Sequence, residues 1–457
     1  MKQLLSAAFV RKLIRLGVCL ILLTLAFSAT ADAGFLYVYN NTSNSIYGYS
    51  VNERTGALSL LAGFPVIAGG TGNNVGVKPE LMNIDPANNR LYVISDGSDT
   101  VNAYSINPTT GALTALPFSP IELPAGLYNS VKINPSGSLL AVNELQSSLT
   151  RIYAITPTSA SLSQTLPFNI DNQIVSGTVF SRDGNYFYQI AGGGTFFRGF
   201  NVSPTTGFMT EMTGSPFSPS PGTGALTDSQ GRIFGIYNNA IPSIGRVFTT
   251  NQGVPTLVHQ SPINNEASTA AALHPNERFF VAVFSGERVF SVRIDGTGAG
   301  TTLTPVADAR IVGGFALALV FNQAGNFVFA GGTRISTFNF FRDNGGITFN
   351  NIQPPDANGS GNAPGIAYLP TGIPVFVSGR VTDSNGRGIS GAIITAISAQ
   401  DGIVHTARSN PFGYYIFDDL IMDRNYTFEV RQKQFAFSAQ AFTPNQETNE
   451  LNFTASP

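Results

Sequence analysis

Tryptophan is absent from the 457 residues, cysteine occurs once, histidine three times, and charged residues make up only 11% of the chain. Each shortage excludes something. The single cysteine, Cys19, lies in an N-terminal stretch that reads as an export signal, so the chain that remains after cleavage forms no disulfide and offers no thiol nucleophile or thiolate metal ligand. Neither His259, His274 nor His405 has a second histidine at metal-ligand spacing, which speaks against a zinc site. Long apolar runs are also scarce. The one pronounced case, Leu16 to Phe27, is about a dozen residues, too short to span a bilayer comfortably.

That run follows Lys2, Arg11, Lys12 and Arg15 and precedes Ala31-Asp32-Ala33, a small-x-small cleavage site. Residues 1–33 are therefore expected to direct export, periplasmic or to the cell surface or medium, leaving Gly34 as the new N-terminus. An uncut N-terminal anchor is the alternative; no cysteine at the cleavage point argues for a lipoprotein. The segment holds four bases and one acid, so its loss moves the formal charge from −2 to −2 − 3 = −5. Such a balance provides no basic field for nucleic acid.

What the chain has in abundance is repetition. Turns recur at Pro86, Pro135, Arg182, Asp228, Pro275, Gln323 and Pro370, in steps of 49, 47, 46, 47, 48 and 47 residues. Between turns run short strands read as alternating apolar and polar residues over four to seven positions, such as Leu91-Tyr92-Val93-Ile94 and Phe279-Phe280-Val281-Ala282-Val283, with no sustained helical period. Four short strands per repeat of this length is the arithmetic of a propeller blade. The first unit, from Gly34 to Leu61, lacks an opening strand, and the last, 363–372, is an opening strand with nothing after it. Together they complete one blade. Six whole units plus this shared one predict an all-β, seven-bladed propeller over 34–372, closed by 363–372 against 34–61, rather than an open solenoid or a string of sandwiches.

Tyrosine and phenylalanine take the packing role that tryptophan fills in other propellers, at Tyr37, Tyr47, Tyr92, Tyr104, Tyr153, Phe187 and Phe338. A Thr-Gly-x-Leu/Met-Thr/Ser element recurs at Thr55-Gly56-Ala57-Leu58-Ser59, Thr110-Gly111-Ala112-Leu113-Thr114 and Thr206-Gly207-Phe208-Met209-Thr210, where glycine suits the positive φ of a tight hairpin. Over residues 35–370 this pattern resembles the 6-phosphogluconolactonase-like propellers and, more loosely, the YVTN-type surface-protein repeats. After a linker at Ile373-Pro374 the pattern changes. Ser378-Gly379-Arg380-Val381, the Asn385-Gly386 turn, Ile389 to Ala392, the block Phe412-Gly413-Tyr414-Tyr415-Ile416-Phe417 and Tyr426-Thr427-Phe428-Glu429-Val430 resemble a carboxypeptidase regulatory-like domain of the transthyretin type. The resemblance implies a small β-sandwich over 375–457 that acts as an accessory or interaction unit without chemistry of its own.

The propeller resemblance implies a site with an Arg-His pair before the third turn and a glutamate in an Asn-Glu-Leu strand end. Asn143-Glu144-Leu145 is present, which makes Glu144 the one catalytic candidate, but the Arg-His positions read Asn129-Ser130. Other features have plainer readings. His274 before Pro275 caps a turn, His405 is structural on a sandwich strand, and His259 lies in a polar loop. Asp96-Gly97-Ser98-Asp99 and Asp418-Asp419 are surface turns rather than calcium loops, and the glycine runs at 192–194 and Gly331-Gly332 are hairpins near the axis rather than phosphate loops. No metal and no cofactor is implied. The leading expectation is a non-catalytic exported scaffold that binds a protein or glycan partner. The alternatives are a sugar-lactone hydrolase working in the channel around Glu144, and a surface-layer component.

Overall fold

The computed structural model describes residues 34–456 except 54, 72–79, 169, 171–172, 192–194, 239–241, 285, 313, 354–364, 371–373, 400–403, 422–423 and 446–447. The export segment, the glycine run at 192–194, the linker residue Ile373 and the side chains of Asp418 and Asp419 lie outside the described residues. The chain divides into two compact units, with the boundary between Thr371 and Gly372.

The first unit holds seven antiparallel sheets. Blades two to seven are consecutive meanders whose innermost strands are Met82–Asp85, Tyr128–Ile133, Val175–Phe180, Thr223–Thr227, Ser268–Leu273 and Ala316–Phe321. Blade one is assembled from both ends of the repeat array. Its innermost strand, Gly365–Leu369, pairs with Phe35–Asn40 in a register running from Phe35 opposite Leu369 to Tyr39 opposite Gly365. Innermost strands of neighbouring blades touch in succession around the whole ring, including Gly365–Leu369 with both Ala316–Phe321 and Met82–Asp85. A second contact backs the closure. The Tyr368 hydroxyl donates to Glu53 Oε1 at 2.7 Å, and Asn326 Nδ2 donates to the Glu53 carbonyl at 3.1 Å, which ties a hairpin of blade one to the turn of blade seven. Burial and the Glu53 carboxylate hold the Tyr368 hydroxyl well above its usual pKa.

Position within the blade decides composition. The second strands Phe35–Asn40, Leu139–Glu144, Phe279–Phe284 and Phe327–Gly332 are buried at every residue. Each sheet is covered on both faces by its neighbours, so these strands read as continuous apolar runs, not as alternation. Outer strands such as Leu58–Leu60 and Met209–Glu211 bury only their first residue. Tyrosines on second strands also reach between blades: the Tyr37 hydroxyl donates to the Gly111 carbonyl at 2.7 Å and that of Tyr188 to the Gly253 carbonyl at 2.6 Å. A buried phenol needs such a partner, and these bonds hold adjacent sheets in fixed relation. Gly56, Gly111 and Gly207 all have φ near +70°, as the hairpin element requires. Gly331 and Gly332 sit at the end of the second strand of blade seven, not on the axial strand; a Cβ at Gly332 would lie 1.7 Å from the Phe315 carbonyl oxygen, so close backbone approach explains this glycine.

The second unit packs two four-stranded sheets, one built around Pro374–Thr382 and the other around Ile393–Ser398. Here alternation does hold: Tyr426–Arg431 buries Tyr426, Phe428 and Val430 and turns the others outward to varying degrees. Val377, Ile394, Phe417, Tyr426 and Phe428 form its core. His405 stands on Val404–Arg408 with its ring 5.8 Å from that of Tyr426.

His274 caps its turn from within the protein. Nδ1 accepts from the Asn276 amide at 3.0 Å, and Nε2 donates to the Gly325 carbonyl at 3.0 Å, which requires the neutral ring. Phe321 and Phe340 pack against it, with centroids at 4.9 and 5.1 Å. Burial lowers its pKa to about 3. Between pH 6.5 and about 3 the unfolded chain binds a proton that folded His274 refuses, so stability falls as the pH drops through that window. Asn134 and Asn322 cap the corresponding turns of blades three and seven through backbone amides. His274→Asn is therefore expected to keep the turn while flattening this part of the stability–pH curve, measured by urea unfolding at pH 7, 5 and 4. An unchanged slope would show that His274 does not titrate in this way.

Candidate functional site

One face of the ring carries the starts of the innermost strands, the connections between blades and the turns that join second to third strands. At this upper face the channel opens into a chamber of about 220 Å³. Its wall comes from blades two to six, with Asn129, Thr178, Thr223 and Ser268 among the polar residues and Leu145 and Ile190 among the apolar ones. Gly177, Gly222 and Gly224 leave the backbone bare. Below it lies a second chamber of about 190 Å³, lined by Lys132, Met82, Ala271, Leu319 and Ala367 among others. Glu80 lines both.

Glu80 precedes the innermost strand of blade two and bridges to Ser130 on that of blade three. Its Oε1 lies 2.9 Å from Lys132 Nζ, and its Oε2 accepts from the Ser130 hydroxyl at 2.8 Å. The pair is partly solvent-accessible, with side-chain exposures of 22% for Glu80 and 24% for Lys132. The carboxylate is thus held in position yet reachable from the channel. Ser130, one of the residues standing where the resemblance implied Arg-His, serves as a positioning group for Glu80.

Glu144 is placed differently. It ends the second strand of blade three, where Oε2 meets Arg151 Nη1 at 2.6 Å, with side-chain exposures of only 8% and 10%. Arg151 lies on the third strand opposite Val142, so it meets Glu144 diagonally across the hairpin. The loop before blade three closes over the other oxygen: a Cβ at Gly126 would lie 2.7 Å from Oε1. The Tyr128 ring, 5.8 Å from the guanidinium carbon, packs beside the pair, and its hydroxyl donates to the Pro124 carbonyl at 2.5 Å. Burial raises the pKa of that phenol. Glu144 is therefore held in a buried ion pair and is not among the residues that line either chamber.

Beside the chamber, blades three and four share a buried polar network. Asn143 Nδ2 donates to Asn129 Oδ1 at 2.7 Å and to the Val175 carbonyl at 3.0 Å; Thr150 donates to Asn143 Oδ1 at 3.0 Å; Gln189 Nε2 donates to Thr150 at 2.8 Å. Thr178, opposite Gln189 in the sheet, is 3% exposed and its hydroxyl has no partner. A buried hydroxyl left unbonded is costly. Asn129, the other replacement residue, has its amide committed to the Val175 and Ser176 carbonyls.

No histidine lines either chamber. His259 lies on the strand Val254–Asn264 rather than in a loop, with Nε2 3.0 Å from Ser261 Oγ. Asp96-Gly97-Ser98-Asp99 forms the turn between Arg90–Ser95 and Thr100–Ile106, and Asp99 Oδ1 accepts from the Gly126 amide at 3.2 Å. Among the described residues no group of three or more His, Asp or Glu side chains is placed to hold a metal.

Comparison with known proteins adds to this geometry. Residues 26–127 match the family model for the lactonase seven-bladed β-propeller, and residues 377–456 match that for the carboxypeptidase regulatory-like domain. Among solved structures, a candidate 6-phosphogluconolactonase from Bacteroides fragilis is 17% identical, covers 75% of this chain and 99% of its own, and superposes with a TM-score of 0.62. The periplasmic gluconolactonase of Pseudomonas aeruginosa is 15% identical, covers 74% of this chain and 99% of its own, and superposes with a TM-score of 0.61. At such identities the likeness is one of fold. No curated protein matches the chain in sequence. With its ring closed by strands from both ends, the chain is a seven-bladed β-propeller that is similar over residues 26–127 to the lactonase propellers, followed by a β-sandwich that is similar over residues 377–456 to the carboxypeptidase regulatory-like domain.

Proposed function

We propose that the propeller hydrolyses a small sugar-type lactone in the upper chamber of its channel, with Glu80 as the base. The observation that carries this reading is a positioned, water-accessible carboxylate on the wall of a small polar chamber, in a fold whose solved neighbours include a periplasmic gluconolactonase. In the reaction, Glu80 takes a proton from water as the oxygen adds to the lactone carbonyl carbon. The ring C–O bond then breaks, the ring oxygen takes up the proton, and the hydroxy acid leaves. The charge and apolar pattern of residues 1–33 supports export, and no helix among the described residues is long and apolar enough to cross a membrane. The C-terminal sandwich acts as a docking module. If its deletion (375–457) leaves surface association unchanged, that role is wrong.

A second reading, a binding scaffold without catalysis, is favoured by Asn129 and Ser130 standing where the resemblance implied a cationic pair. Glu80→Gln separates the two. It is expected to lower kcat on glucono-1,5-lactone by ~10²-fold or more, with little change in melting temperature because the ion pair it breaks is partly solvated. Turnover at the uncatalysed background in both proteins would leave the scaffold standing. For Glu144 the expectation is reversed. Glu144→Ala strands Arg151 in a buried site and should cost about 3–5 kcal/mol in urea unfolding, while Glu144→Gln, folded, should retain kcat within about threefold. Loss of turnover in a stable Glu144→Gln protein would return the base to Glu144.

A further inference from the structure

The two chambers divide one ion pair between them. Lys132 lines only the lower chamber, and it holds Oε1 of Glu80. Oε2 is turned the other way. It accepts from Ser130 and is the atom nearest to a Cβ built at Gly177, 3.8 Å away, and Gly177 belongs to the upper wall. No lysine, arginine or histidine among the described residues lines the upper chamber, where Glu80 is the one charged group. The upper chamber therefore meets the carboxylate while the matching ammonium faces the space beneath.

A site that takes a phosphate ester presents paired cations, commonly arginine forks, or a cluster of free amides at a helix N-terminus. Neither is found among the described residues of this wall, and an anionic ester would meet the Glu80 oxygen that is turned away from Lys132. Size adds a second limit. At about 220 Å³ the chamber falls below the ~300–1,000 Å³ of sites for drug-sized ligands, which suits one sugar-sized ring and not an oligosaccharide.

We infer that the upper chamber selects an uncharged aldonolactone and rejects its phosphorylated counterpart. The inference rests on the lactone reading for its choice of ligand, but binding tests it apart from turnover. The probes are D-glucono-1,5-lactam, an uncharged analogue that resists hydrolysis, and its 6-phosphate, titrated calorimetrically into the cleaved full chain at low salt. The lactam is expected to bind at least tenfold more tightly than its phosphate, a difference of about 1.4 kcal/mol. In Glu80→Gln the lost negative charge leaves Lys132 without its counter-ion, and the gap should narrow or invert.

Equal or tighter binding of the phosphate by the wild-type protein overturns the inference, as does failure of both probes to bind. An unchanged gap in Glu80→Gln also overturns it, because the discrimination would then have another source. Lactam binding with discrimination but no lactone turnover upholds the selectivity while removing the hydrolase reading. Turnover of both lactones at equal kcat/KM does the reverse.

Discussion

The antiparallel pairing of Phe35–Asn40 with Gly365–Leu369 is the constraint on which the propeller depends. Seven sheets arranged around an axis bury their faces only if the first and last are neighbours. Without closure, blades one and seven would each expose a face made for another sheet. The pairing joins residues more than 300 positions apart and removes the free strand edges that an open array would offer to another chain. The Glu53–Tyr368 bond adds a polar latch at the same seam. Shared clusters such as Leu36, Tyr49, Phe329 and Tyr368 then bury apolar surface on both sides of it.

Closure also creates the site. Once the ring is complete, the innermost strands converge, and side chains at equivalent heights in different blades come within reach of one another. Glu80 and Ser130 are separated by about one blade repeat and meet because neighbouring blades bring them to the axis. The same convergence forces small residues onto the wall. A Cβ at Gly224 would lie 3.0 Å from the Ala271 Cβ and 3.2 Å from its amide nitrogen in the next blade, so this part of the wall leaves little room for a side chain.

Much of the architecture is legible in the sequence because it repeats. A step of 46–49 residues and an incomplete unit at each end require little beyond counting, and the Thr-Gly hairpin element marks a positive φ that glycine adopts freely. The sandwich is legible through its motifs and the clear alternation of Tyr426, Phe428 and Val430. The candidate site is less so. Glu144 stands out because its neighbours fit a motif, yet its burial with Arg151 depends on strand register. The signal for that pair was present: with Asn143 opposite Thr150, Glu144 and Arg151 fall on one face of the hairpin. Glu80 carried no such signal. Its partners belong to the next blade, and its position at the axis is a property of the closed ring. His259 was misplaced for a related reason, since the polar strand Val254–Asn264 is an outer strand whose exposure makes it read as a loop.

The order of elements along the chain has a mechanical side. Only four residues separate Leu369, the end of the closing strand, from Pro374, the start of the sandwich. Tension on an anchored C-terminal module would reach the propeller through the strand that seals it. Because Leu369 pairs with Phe35, the load would enter the ladder at that end, where the first and last strands of the ring meet.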